Sequence, residues 1–342
     1  MRNWATKMEI TAAAPNRVDL AGGTTDIHPL YLIMEGGCTV NVSVSIRSRA
    51  RLRTLDEQII RIISEDMGCS IETWPPSDLP LDSPIGLICR AVRAVPPKCG
   101  IEVITHNEAP AGSGLGASSA LLVTVLAVLL QLQAADYEAR EIIQLATNIE
   151  TAAIGVPTGK QDHIASVYGG ISLIEFGYRD FQRTTARDRS KVLEYLSDSL
   201  ILTYTGQGHF SGMNNWEITK RFIDNDKEVK AKLLRIRDIA RAVYRALDEN
   251  HYEELPKLVQ QEWEVRRTLA PGVSTPRIEN LISAASRAGA LASKVCGAGG
   301  GGCMITLAPK GRQTAVCEAL EAAGGKVMPF EIDRQGLVIS QG

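Results

Sequence analysis

Three glycine-bearing stretches hold the residue types that could do chemistry in this chain. The central one, Pro110-Ala-Gly-Ser-Gly-Leu-Gly-Ala-Ser-Ser-Ala120, sets glycines at 112, 114 and 116 and two serines just before an apolar run. Glycine weakens both helix and strand and adds nothing to a core, so this spacing suits a backbone that must come close to a ligand. Serines where a helix begins lie among free N–H groups and the positive end of the helix dipole, which favours an anion. The stretch reads as a phosphate cradle. The second stretch, Ala14-Pro-Asn-Arg-Val-Asp-Leu-Ala-Gly-Gly-Thr-Thr-Asp26, mixes a guanidinium and two carboxylates with turn formers, and the third is Gly297-Ala-Gly-Gly-Gly-Gly302. A further loop, Gly155-Val-Pro-Thr-Gly-Lys-Gln-Asp-His163, adds a carboxylate at Asp162.

Two familiar nucleotide signatures fail on spacing. Gly112-Ser-Gly114-Leu-Gly-Ala117 satisfies G-x-G-x-x-A, but five residues separate it from the preceding apolar strand, and no acidic strand end follows the helix. Gly155 to Gln161 has one residue too few for a Walker A loop, and a glutamine where Ser or Thr must meet magnesium.

The elements that must position these loops follow from periodicity. Met8–Ala14 reads as a strand that ends in a turn-rich loop, Cys38–Leu55 as one or two strands, and Gln58–Ser64 as another. Proline-dense loops span 74–84, then a helix over 85–95 and a strand at Ile101 lead into the glycine loop and the apolar helix Leu121–Leu132. A helix capped by Asp136 runs to Ala153, a short helix starts near His163, and Gly170–Phe176 is a strand. The charged segment 179–191 is the expected boundary between a first domain, 1–190, and a second, 191–342. Beyond it come a strand at 199–204 and a polar loop at 205–215. A long helix then carries the stripe Val229, Leu233, Ile236, Ala240, Val243, Leu247, which should face the core. Alternating helices and strands complete the chain. Mixed elements in both halves, without a regular βαβα rhythm, predict α+β.

Composition narrows the partners. Of 342 residues, 44% are hydrophobic and 22% charged, and the formal net charge is -2, so no global basic field draws nucleic acid or anionic membrane. The longest apolar run is too short for a membrane span, and the start of the sequence has no signal-peptide pattern. Seven cysteines form no CxxC pair, which fits reduced thiols and a cytoplasmic protein. Five scattered histidines give no transition-metal spacing.

The central stretch, read Pro-x3-Gly-Leu-Gly-x-Ser-Ser-Ala, resembles the middle motif of the GHMP kinases, the family of galactokinase, homoserine, mevalonate and phosphomevalonate kinases. Ala14–Asp26 is similar to the family's N-terminal motif in its galactokinase-like form, and Lys294–Gly302 to its C-terminal glycine motif, in the family's order. Within the family, Asp19–Asp26, Gly159–Asp162, Ser211–Trp216 and Trp263–Leu269 resemble the kinases of D-glycero-D-manno-heptose 7-phosphate. Thr24, His163 and Cys303 depart from the residues usual there. The resemblance implies an N-terminal nucleotide-binding domain with a left-handed βαβ unit, a ferredoxin-like C-terminal domain, and ATP and Mg²⁺ as cofactors. It also implies a sugar or sugar-phosphate acceptor.

Roles follow residue by residue. Pro110, Gly112, Ser113, Gly114, Leu115, Gly116, Ala117, Ser118 and Ser119 would form the ATP loop, with amides at the helix start on the phosphates. Ser118 and Glu150 would supply oxygens to Mg²⁺; otherwise they are an N-cap and a solvated helix-end carboxylate. Asp162 would be the base or the group aligning the acceptor hydroxyl, rather than only a cap, and Arg17 would face the transferring phosphoryl and keep Asp162 ionised, rather than join a surface pair. Asp26, Gly22, Gly23, Thr25, Lys160, Gly299 and Gly300 would surround the acceptor, with His209 and Asn215 as weaker pocket residues and His163 structural. Heptose 7-phosphate at O1 is the leading acceptor, and galactose, fucose or a uronic acid the alternative of the same class. A silent ATP- and sugar-binding regulator is the alternative of another class. A homodimer is left open.

Overall fold

The computed structural model describes residues 8–187, 189–208 and 212–342, the side chains of 212–214 excepted. The chain begins with β1 (Glu9–Ala21), a short helix α1 (Leu30–Ile33), β2 (Gly37–Leu55), β3 (Ile60–Ser64), β4 (Cys69–Thr73), α2 (Gly86–Ala94) and β5 (Gly100–Asn107). Helices α3 (Ala117–Leu132), α4 (Ala139–Ile154) and α5 (Gln161–Tyr168) follow, then β6 (Ile171–Gly177), β7 (Asp180–Thr184) and α6 (Arg189–Ser199). The second half has β8 (Leu200–Tyr204), α7 (Gly212–Ile223), α8 (Lys227–Asp248), α9 (Leu255–Arg266) and α10 (Pro276–Arg287). It ends with β9 (Ala292–Val295), β10 (Cys303–Leu307), α11 (Gln313–Ala322), β11 (Lys326–Met328) and β12 (Val338–Gln341).

Two sheets result. The first has the order β12-β1-β2-β5-β3-β4, with β6 paired to the early part of β2 and β7 to β6. The second, β11-β8-β10-β9, is antiparallel throughout; with α11 between β10 and β11 and the other helices between β8 and β9, it is ferredoxin-like. The last strand, β12, returns to pair with β1, so a cut at 190/191 would part it from its sheet. One apolar cluster also joins β1, β2 and β6 to α6, α8 and β10 across that line.

Several elements differ from their sequence reading, each for a local reason. β1 does not stop at Ala14: it runs on against β2, with a register shift between Pro15 and Asn16. A proline cannot donate to the ladder, and the irregularity absorbs it, so Arg17 and Asp19 stand on a strand instead of a loop. Helix α4 is capped by Glu138, not Asp136, through a reciprocal bond pair with Glu141. α5 starts at Gln161, which puts Asp162 in its first turn. The polar stretch before residue 215 becomes helix α7 from Gly212, and β4 was not anticipated.

Helix α3 is buried from Ser119 through Leu129, because β1 and β2 cover one side and α4 and α5 the other. Surroundings apolar on every side remove the need for a polar face. The stripe on α8 is buried at all six positions, as its periodicity predicts.

Candidate active site

The central loop is shaped by contact with the third loop. Gly114 has φ +71°, and a Cβ there would stand 2.7 Å from the Cys296 carbonyl oxygen. The Ser113 carbonyl accepts the Cys303 N–H at 2.6 Å. Two backbones therefore pass too closely for side chains, which explains the glycines on both sides. Gly116 precedes α3 with φ +77° and no side-chain cap, so Ser118 lies inside the first turn and is not the N-cap. The N–H groups of Ala117, Ser118 and Ser119 are first-turn donors without helical acceptors. The Ser113 N–H is occupied, donating to Pro110, and Leu115 points into the core while its carbonyl accepts the Arg17 N–H at 3.0 Å.

Serine and carboxylate converge below the loop. Ser118 Oγ donates to Glu150 Oε1 at 2.7 Å, and Ser119 Oγ lies 2.9 Å from Oε2. His163, fully buried, has Nε2 at 3.1 Å from Glu150 Oε2. Burial works to raise the Glu150 pKa, but His163 and the two hydroxyls outweigh it and hold the carboxyl below its ordinary value.

Arg17 reaches this point from β1. Its Nε and Nη2 lie 2.7 and 2.6 Å from Asp162 Oδ1, and Nη1 donates to the Gly114 carbonyl at 2.6 Å. Arg17 is buried and the Asp162 side chain is 24% exposed, open to the cavity, so the pair is not a surface bridge. Burial pushes Asp162 above the usual carboxylate range, Arg17 pulls it back, and Glu150 adds to the push. Asp26, 2% exposed, accepts the Gln161 N–H at 3.0 Å on Oδ2. Burial raises it to about 6 against that bond, with Asp162 and Asp19 also raising it. Gly159 makes room for it, since a Cβ there would fall 2.0 Å from Asp26 Oδ2.

Arg17, Gly23, Asp26, Ser118, Glu150 and Asp162 all line one cavity of about 440 Å³, together with the central loop, Asn215, Gly297, Gly299 and Gly301. Other predicted residues lie elsewhere. The Thr25 hydroxyl is tied to the Gly22 and Cys38 carbonyls, and a Cβ on Gly22 would meet Cys38 O at 2.0 Å, so both build the turn under the acceptor loop. Lys160 bonds Gln144 and Asp180 in a separate hollow behind the loop. Gly300 faces away, its N–H donating to Val273. His209 lies outside the described residues. The sequence reading missed one wall: Met67 from the β3–β4 turn, with Pro84, Ile85 and Ile88 at α2. The proline-dense stretch before an amphipathic helix was its only trace.

Residues 85–170 match the family described as GHMP kinases N terminal domain, and residues 243–326 match GHMP kinases C terminal. A mevalonate kinase of Pyrococcus horikoshii is 30% identical over 253 residues, 71% of this chain and 70% of the relative. The chain belongs to the GHMP kinases. A D-glycero-alpha-D-manno-heptose 7-phosphate kinase of Campylobacter jejuni is 27% identical over 337 residues, 96% of this chain and 98% of the relative. The solved structure described as a D-glycero-D-manno-heptose 1-phosphate kinase from Bacteroides thetaiotaomicron superposes with a TM-score of 0.78 at 26% identity, covering 97% of this chain and 98% of that one. GHMP kinases are ATP-dependent phosphotransferases, and the two-domain α+β architecture implied by the motifs is the one found. Among the described residues no helix is long and apolar enough to cross a membrane.

Proposed function

We propose that this GHMP kinase transfers the γ-phosphoryl of ATP to a hydroxyl of a sugar or sugar phosphate, with D-glycero-D-manno-heptose 7-phosphate at O1 as the leading acceptor. The observation that carries the reading is the pairing of buried Arg17 with Asp162, set beside Asp26 in the cavity that the start of α3 enters. Amides of Ala117 to Ser119 receive the ATP phosphates, and the apolar wall of Met67, Pro84, Ile85 and Ile88 takes the base. Ser118 and Glu150 offer hard oxygen donors that fit Mg²⁺, which when bound neutralises charge on the phosphates.

Both Arg17 contacts end on Asp162 Oδ1, which leaves Oδ2 for the acceptor hydroxyl. Asp162 takes the hydroxyl proton as the oxygen bonds to phosphorus and the bond to ADP breaks. A pKa raised above the usual carboxylate value makes it a better base than a surface aspartate. Arg17 fixes its rotamer and places positive charge beside the developing phosphoryl charge. Asp26 accepts acceptor hydroxyls. All seven cysteines are free, which supports a reducing, cytoplasmic setting.

A specific observation favours a second acceptor, an unphosphorylated sugar. Among the described residues lining the cavity, Arg17 is the sole cation, and it is bound to Asp162. A phosphorylation screen over heptose 7-phosphate, galactose, fucose and uronic acids, with product positions read by ³¹P NMR, decides between them. Saturable binding of ATP and sugar without ADP release would overturn the kinase reading in favour of a silent regulator.

A further inference from the structure

Behind the acceptor loop lies a closed group of four charges. Asp19 on β1, Glu262 and Arg266 on α9, and Lys294 on β9 are each at most 1% exposed. Lys294 Nζ lies 3.1 Å from Asp19 Oδ2 and 3.2 Å from Glu262 Oε2. Arg266 Nε donates to Glu262 Oε1 at 2.7 Å. Two acids and two bases cancel, so each charge has a compensating partner in a site that water does not reach. One fork of Arg266 leaves this group: Nη2 donates to the Gly23 carbonyl at 2.7 Å, and Nη1 lies 3.4 Å from Thr24 Oγ1.

Those two contacts fall where the backbone is strained. Thr24 has φ +76°, a region that a β-branched residue rarely occupies and that persists only when neighbours impose it. Two residues on stands Asp26 in the cavity, with the turn closed by Thr25 N–H to Gly22 O and Ile27 N–H to Thr24 O. The remaining constraint on Gly23 and Thr24 comes from a helix more than 240 residues away in sequence.

We propose that Arg266 is a positioning residue for the acceptor: its guanidinium holds Gly23 and the strained Thr24, and through them sets Asp26 toward the bound hydroxyls. The inference rests on the reading of Asp26 as the acceptor-binding carboxylate. A lysine at 266 keeps the charge that balances Glu262 and Asp19 but lacks the planar fork that bonds Glu262, Gly23 and Thr24 together. Loss of the fork should loosen the acceptor loop and leave the ATP loop, anchored by separate bonds, as it is.

The test compares Arg266→Lys with wild type, using heptose 7-phosphate or, if it is not turned over, the best acceptor of the screen. Expected are an acceptor KM raised about tenfold, an ATP Kd within about twofold, and faster hydrogen exchange at the Thr25 and Ile27 amides. In a Thr24→Gly background, where φ +76° carries no strain, the same replacement should raise KM less than about threefold. Unchanged acceptor KM, ATP Kd rising in step with it, or an equal effect in both backgrounds would each overturn the proposal. If Arg266→Lys alone does not fold, Arg266→Lys/Thr24→Gly against Thr24→Gly supplies the readout, and an acceptor KM raised about tenfold there, where no strain is left for the fork to hold, overturns it. Asp26→Asn is the control on the underlying reading. If it leaves acceptor KM unchanged, the acceptor-loop assignment fails; if it raises KM and Arg266→Lys does not, only the positioning role fails.

Discussion

Asp26 gives the sharpest quantitative expectation, because its carboxyl is buried and, among the described residues, has no cation in hydrogen-bonding contact. Burial lifts its pKa from 3.8 to about 6. Below about pH 3 it is protonated in folded and unfolded chains alike, and its ionisation costs the fold nothing. As pH rises towards 6, the unfolded carboxyl ionises first, and wild type loses stability; above about 7 the loss is complete. The rise corresponds to about 3 kcal/mol at 1.36 kcal/mol for each pKa unit. Asp26→Asn removes this ionisation but weakens the bond from the Gln161 N–H, a loss of about 1 kcal/mol. The variant should therefore be about 1 kcal/mol less stable than wild type near pH 3 and about 2 kcal/mol more stable at pH 8. Urea unfolding followed by circular dichroism at both pH values measures the difference, while acceptor kcat/KM at pH 8 should fall at least tenfold. In wild type, acceptor kcat/KM should decline as pH drops through about 6. A variant that is less stable at pH 8, or a difference that does not change with pH, would refute the reasoning. A carboxylate kept at a stability cost is the expected mark of a functional group.

Further expectations concern the other loops. Asp162→Asn should lower kcat by about a thousandfold with ATP Kd nearly unchanged, measured by steady-state kinetics and calorimetry, since base catalysis acts mainly in the transition state. Gly114→Ala meets the Cys296 carbonyl at 2.7 Å with φ +71°, so ATP Kd should rise at least tenfold in a titration with a fluorescent nucleotide. Glu150→Gln should raise the Mg²⁺ concentration for half-maximal activity about tenfold, and a Mg²⁺ titration without acceptor, followed by nucleotide fluorescence, should shift likewise. Leu126→Ala, in the fully buried middle of α3, should cost about 2–5 kcal/mol in urea unfolding.

The sequence by itself determined what local pattern can encode. Glycine spacing at 112–116 before an unbroken apolar run fixes a loop and a helix start, because glycine's freedom and side-chain periodicity are properties of neighbouring residues. The core face of α8 was legible for the same reason, whereas the Ser118–Glu150 and Arg17–Asp162 contacts were anticipated only through the family resemblance. Tertiary structure decided the rest. Pro15 looked like a strand end until β2 supplied a ladder that tolerates it, and that continuation put Arg17 on a rigid element. Lys160 and Gly300 carry the right chemistry in the right motifs, yet Asp180 and Val273 claim them from other segments. The apolar wall at Ile85 and the Arg266 fork under Gly23 come from segments with no motif of their own. Which groups line a site depends on which partners distant segments bring, and that is fixed only when the sheets and helices pack.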